Sequence, residues 1–194
     1  MVWVKLPHHV KNMANYTFTK YAFVSTKEHC QDLLGKLNEL KEKDLEWCGD
    51  LIKAFGKDPD KIPCRGFFHD FQMVGDTRLD ISLEFAWAES PEFRDFLKKQ
   101  YSGARIYYFD YEPGCDVCYT NDINDIFGIE YIIDSEEKGE EWYDNLDDVA
   151  NYVSEIVGHP VEATEAAIEK TIEEWEKENS DSFISLHHFT YVDD

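Results

Sequence analysis

RLDISLEFAWAESPEFRDFLKKQYSGARIYYFDYEPGCDVC, residues 78–118, is the stretch that decides the fold. Asp80 to Trp87 alternates polar and apolar side chains, the period of a strand with one buried face. Ser90 is placed to cap a helix, and Pro91 and Glu92 are residue types favoured in a first helical turn. Phe93, Phe96 and Leu97 follow at spacings of three and four, which makes one apolar stripe. Ser102-Gly103 stops the helix, and Ala104 to Tyr111 is aromatic enough to form a second strand. The stretch therefore reads strand, helix, strand.

Upstream, Asn15 to Val24 predicts a strand, and Thr26 caps a helix with Leu33, Leu34, Leu37 and Leu40 at helical spacing. The polar tract Glu39 to Glu46 continues it, and Trp47, Leu51, Ile52 and Phe55 form a second apolar cluster ended by Gly56. Gly66 to Val74 predicts a strand that turns at Gly75-Asp76 into the one after Arg78. The order strand, helix, strand, strand, helix, strand predicts an α+β fold, a ferredoxin-like βαββαβ sandwich. Ile126 to Asp134 is expected to extend its sheet. The predicted organisation is a core over residues 1–134 and an acidic helical pair with a final strand over residues 135–194.

That second segment departs from the rest in composition. Between Asp134 and Asp181 stand 17 Asp or Glu and three Lys. Leu146, Val149, Val153 and Ile156 predict one amphipathic helix, stopped by Gly158. Pro160 is expected to open another, with Val161, Ala167 or Ile168, Ile172 and Trp175 inward. Glu162, Glu165, Glu169, Glu173 and Glu176 step along its other side. Phe183 to Val192 predicts a last strand. The apolar stripes imply that the helices fold and dock rather than form a solvated tail.

The whole chain of 194 residues carries 41 acids against 19 bases, a formal charge of −22. Direct binding to DNA, RNA or an anionic membrane is disfavoured, because neutralising phosphate takes Lys and Arg. A field of this sign favours basic partners and cations. No apolar run is long enough for a transmembrane helix, and the opening residues lack the apolar region of a signal peptide. Five cysteines at irregular spacing do not form a secreted disulfide pattern, so a cytoplasmic protein is expected.

Three sets of residues resemble the ferredoxin-like domain of Api92-like proteins, a family of phages, plasmids and other mobile elements. They are the opening Leu6-Pro7-His8-His9-Val10-Lys11-Asn12, the strand end Leu83-Glu84-Phe85-Ala86-Trp87-Ala88, and the close Tyr111-Glu112-Pro113-Gly114. The resemblance covers about two-thirds of the chain. It implies the fold and a mobile-element setting, and it transfers no catalytic residues. Cys115-Asp116-Val117-Cys118 and the acidic helical pair are outside it.

Two functional expectations follow. Carboxylates at i and i+4 on a helix lie roughly 5–6 Å apart, of the order of phosphate spacing along a nucleic acid. Glu162, Glu165, Glu169, Glu173 and Glu176 would then imitate a nucleic-acid backbone, with Glu136, Glu137, Glu140 and Glu141 as rim and Trp142 and Tyr143 as aromatic anchor. The expected protein is a non-enzymatic inhibitor of a basic nuclease or other nucleic-acid-binding defence protein, of the anti-restriction or anti-CRISPR kind. The alternative is a metal-binding protein or metal-dependent enzyme. Cys115-x-x-Cys118 is half of a zinc site and needs two further ligands. Asp80, Glu84, Asp110 and Glu112 would form an acidic patch if they share a solvent face. The protein is expected to be a monomer, or a homodimer paired through the edge of the 126–134 strand.

Overall fold

The computed structural model describes residues 15–115 and 117–193; residues 6–12 and Asp116, on which part of the reading above rests, lie outside this range. The fold is mixed α+β, with five α-helices among the described residues. The strands form a six-stranded mixed sheet, ordered β2-β3-β1-β4-β5-β9, and a three-stranded sheet, ordered β7-β6-β8. The chain divides into two compact units. Unit 1 is Met1–Ile106 with Asp110–Val117, and unit 2 is Tyr107–Phe109 with Cys118–Asp194.

In unit 1, β1 (Tyr16–Val24) pairs antiparallel with β3 (Arg78–Ala86), and β2 (Gly66–Val74) pairs antiparallel with β3 on its other side. The alternation of residues 80–87 is realised: Leu79, Ile81, Leu83 and Phe85 are buried and face the same way as Phe23, Tyr21, Thr19 and Thr17. α3 (Pro91–Gln100) covers this side, its Phe93 ring 6.0 Å from Phe85 and 6.5 Å from Tyr21. Its N-cap is Ser90, whose hydroxyl accepts from the Phe93 N–H at 3.3 Å. α1 (Lys27–Lys41) is capped by Thr26 and buries Cys30, Leu33, Leu37 and Leu40. It ends at Lys41 instead of running on to Glu46, because the chain turns through Asp44 at φ 54°. α2 (Cys48–Ala54) adds Leu51 and Ile52 to the core. β4 (Arg105–Glu112) lies next to β1.

Unit 2 is built on β6 (Tyr131–Ser135), with β7 (Glu141–Tyr143) on one side and β8 (Ile184–His188) on the other. This corrects the expectation that residues 126–134 extend the six-stranded sheet as an edge. The strand starts five residues later, because Asp125 and Gly128 take positive φ and the Phe127 N–H is held by Asp122 Oδ2 at 2.9 Å. Both of its edges are occupied. α4 (Leu146–Val157) has the predicted bounds, with Asn145 as N-cap and Gly158 at φ 80° as C-cap. α5 (Glu165–Glu178) is capped by Thr164 rather than opened by Pro160, so Glu162 lies outside the helix. The predicted final strand is broken at Phe189 into β8 and β9 (Thr190–Tyr191), the latter parallel to β5 (Val117–Thr120).

Candidate basic-partner interface

A core of Tyr131, Ile133, Val149, Ala150, Tyr152, Val153, Ile168, Ile172 and Ile184 fixes α4 and α5 on the β6 sheet. A polar tie reinforces it. The Tyr152 hydroxyl lies 2.7 Å from Ser135 Oγ and donates to the Gly139 carbonyl at 2.7 Å, which holds the turn between β6 and β7 against α4. The acidic helices are therefore folded elements with an inner apolar face.

Most described acids of unit 2 are exposed around this core, while Asp122, Asp134, Glu165 and Glu176 are half-buried. Unit 2 carries 22 Asp or Glu and three Lys, net −19, whereas unit 1 carries 19 acids and 16 Lys or Arg, net −3. Nearly all of the chain's charge of −22 thus belongs to one unit. Like charges at such density oppose folding, so the apolar core must offset the repulsion.

The predicted row of five is not one continuous row. Glu169 and Glu173 are exposed on α5, one helical turn apart. Glu165 is engaged at the helix start: its Oε1 accepts from the Tyr131 hydroxyl at 3.3 Å and faces His188 Nδ1 at 2.9 Å. Burial first, then the nearby Glu130 and Glu165 carboxylates, pushes the Tyr131 hydroxyl up to about 12. Glu176 accepts the Ile184 N–H at 3.1 Å and so helps hold β8. Glu162 is exposed in the loop before the helix. Glu136, Glu137 and Glu140 are exposed in and after the β6–β7 turn, and Glu141 is exposed on β7.

Trp142 and Tyr143 do not stand out as anchors. The Trp142 ring lies 5.3 Å from Phe109 and 6.3 Å from Phe189, and its indole N–H donates to Glu140 at 2.9 Å. Tyr143 meets Tyr152 edge-on at 6.3 Å. Both are half-buried within the unit.

The residues of the metal expectation are not gathered into one ligand group among the described residues. Cys115 is exposed in the short 3-10 turn Pro113–Cys115, and its sulfur accepts from Asn15 Nδ2 at 2.7 Å. Its bond to Glu112 raises the thiol above its usual range. Cys118 lies on β5. Among the described residues no group of three His, Cys, Asp or Glu is placed to hold a metal ion. The acidic patch on the central strands is also not assembled. Asp80 is buried against Arg78, whose Nε and Nη2 reach it at 2.5 and 2.8 Å. Glu84 pairs with His69 Nε2 at 3.2 Å, through a β-bulge between Phe68 and Asp70.

Asp110 is on the opposite side of the sheet from the one expected. It is 1% exposed, and it accepts from the Thr19 hydroxyl at 2.6 Å and from the Glu89 N–H at 2.8 Å. Burial raises its carboxyl above the usual range, while its donors oppose that. The Glu89 carboxylate, itself buried, takes a hydrogen bond from Tyr21 and faces Arg94 Nε at 3.3 Å. Sequence reasoning missed this polar cluster. Its one signal was Thr at positions 17 and 19, on the apolar side of an otherwise apolar strand. The cluster is closed to solvent and pins β1, β4 and the start of α3 together.

Comparison with known proteins finds no matching family model and no matching curated protein or solved structure. No helix among the described residues is long and apolar enough to cross a membrane.

Proposed function

We propose that this protein is a non-enzymatic acidic interaction protein that binds a basic, nucleic-acid-handling protein by occupying the surface meant for nucleic acid. The observation that carries the reading is the concentration of −19 of the −22 charges in unit 2, displayed on a folded sheet and helix pair. A fixed array of carboxylates loses little conformational entropy on binding, which a disordered acidic tail would. Glu169 and Glu173, with Glu136, Glu137 and Glu141, provide exposed charge outside the hydrogen bonds that hold the unit together.

The remaining expectations join this proposal. A ferredoxin-like assignment of unit 1 is supported by the order β2-β3-β1-β4 and the antiparallel β1·β3 and β2·β3 pairs. Membership of the Api92-like family and a phage or plasmid setting rest on the sequence of residues 6–12, 83–88 and 111–114. A cytoplasmic location rests on the irregular spacing of the five cysteines, and the partner is of the kind met in restriction or CRISPR defence.

The test is capture of the partner from host cytoplasm, followed by binding of the purified pair. Charge reversal by Glu169→Lys with Glu173→Lys is expected to abolish binding at about 0.15 M salt while the circular dichroism is unchanged. Binding of the unaltered protein is expected to weaken steeply towards 1 M salt, where the screening length shrinks from about 8 Å to about 3 Å. Binding that survives both the substitutions and the salt refutes the proposal.

A further inference from the structure

The outer edge of β8 differs from every other sheet edge among the described residues. The register settles which of its backbone groups point outward. Phe189 N–H donates to the Glu130 carbonyl at 3.0 Å, and Glu136 N–H donates to the Phe183 carbonyl at 3.4 Å. In the β6·β8 register these are the hydrogen-bonded pairs, and Ile132 with His187 and Asp134 with Ser185 continue the alternation. Residues 183, 185, 187 and 189 therefore turn their backbone groups to β6. Ile184, Leu186 and His188 turn theirs away. The Ile184 N–H is taken by Glu176. Leu186 and His188 each present one N–H and one carbonyl outward.

The other edges are short or obstructed over part of their length. β2 carries the bulge at His69, Lys41 Nζ sits on the His69 carbonyl at 3.1 Å, and the Phe68 N–H goes to the Glu46 carbonyl at 2.9 Å. β7 has three residues and β9 two. β8 pairs over all five of its residues without a register shift. It has no proline and no bulge. No Lys or Arg occurs anywhere from residue 178 onward, so the cationic side chains that commonly protect an edge are missing. Its flanks are acidic: Glu130 and Glu165 stand on the two ring nitrogens of His188, and Glu176 stands at Ile184.

We propose that the outer edge of β8 is a strand-docking site for an extended, basic segment of the partner protein. Main-chain bonds to Leu186 and His188 would add a fourth strand to β7-β6-β8, and Lys or Arg side chains of the guest would compete with His188 for Glu130 and Glu165. Charge complementarity selects the occupant, because an acidic or neutral strand gains nothing from this rim. The inference rests on the basic-partner reading and names the mode by which that partner is held.

The experiment uses the full chain and a synthetic peptide of about eight residues with alternating Lys and Val. A Glu-Val peptide of equal length serves as control, together with a Lys-Val peptide N-methylated on alternate residues. Amide hydrogen exchange is followed residue by residue. The Lys-Val peptide is expected to slow exchange at Leu186 and His188 at least about tenfold, and both control peptides to leave it unchanged. Leu186→Pro, which removes an outward N–H and leaves the β6 ladder intact, is expected to abolish the effect. If the Lys-Val peptide binds and Glu169→Lys with Glu173→Lys releases it, yet Leu186 and His188 exchange as before, the docking edge is refuted and the charge reading stands. If the Lys-Val peptide does not bind at all, both are refuted.

Discussion

Thr19→Val tests the buried polar cluster of unit 1 most directly. The substitution keeps the volume and the β-branch and removes only the hydroxyl, which donates to Asp110 Oδ1 at 2.6 Å. A hydrogen bond to a charged group contributes about 1.5–3 kcal/mol, and one to a neutral group about 0.5–1.5 kcal/mol. Which range applies depends on the protonation of Asp110, and hence on pH. Burial raises the Asp110 carboxyl, and the bond from Thr19 opposes that rise. A carboxyl raised in the folded state binds more protons folded than unfolded above about 3.9. Its favourable contribution is therefore complete below that value and is lost as pH rises through the folded value. Removing the Thr19 donor raises the folded value further, so the loss caused by Thr19→Val must grow with pH. The expectation is about 2 kcal/mol at pH 7 and about 1 kcal/mol near pH 4. Urea unfolding followed by tryptophan fluorescence, with linear extrapolation at each pH, measures it. A loss that is larger at pH 4 than at pH 7, or below about 0.5 kcal/mol at both, refutes the assignment of Asp110 as a buried acceptor held by Thr19.

Two further perturbations probe unit 1. A Cβ on Gly66 would stand 2.3 Å from Phe85 Cδ1 and 2.7 Å from the Glu84 carbonyl oxygen, in the wall of the paired strand. Gly66→Ala is therefore expected to cost at least about 3 kcal/mol, the upper end for overpacking, and a thermal melt that moves by less than about 2 °C contradicts it. The bond to Glu84 raises the His69 imidazole and lowers the Glu84 carboxyl. The His69 contribution is present below about 6.5 and fades as pH rises through the raised value, and the Glu84 contribution is present above about 4.3 and fades as pH falls. Both groups are near 40% exposed, so screening limits the pair to under about 1 kcal/mol. Proton NMR titration of His69 should show a downward shift in Glu84→Gln; an unmoved titration rejects the pairing.

The strand–helix–strand reading of residues 78–118 was legible because it rests on local physics. Alternation, a Ser-Pro-Glu helix start and a Gly stop are written in neighbouring residues, and the structure places β3, α3 and β4 over them. Two of the failures turn on nearby turn and capping residues that outcompete the expected element, and the third on a distant partner. Residues 126–134 have the composition of a strand, but Asp125, Gly128 and the Asp122 cap consume the first five as a loop. Pro160 looked like a helix start, but Thr164 supplies the hydroxyl that accepts the Ala167 N–H at 3.3 Å. Asp110 has the same local look as an exposed strand acid. Only the pairing of β1 with β4 brings Thr19 beneath it, and no window of sequence contains both residues.

The same distinction sorts the acids of unit 2. A helical spacing of three and four treats Glu165, Glu169, Glu173 and Glu176 as equivalent, and the tertiary structure does not. Glu165 is spent on Tyr131 and His188, and Glu176 on the backbone of β8. Their presence is explained by the fold. Glu169 and Glu173 are exposed acids one turn apart, and Lys170 pairs with Glu174 at 3.8 Å rather than with either. Two like charges at that spacing cost an isolated helix about 0.2–0.5 kcal/mol. A neutral or alternating surface would have folded at least as well on the same apolar core. The excess of negative charge on α5 and around the β6–β7 turn is thus a cost that the apolar core has to offset, and the proposed binding to a basic surface would account for its retention.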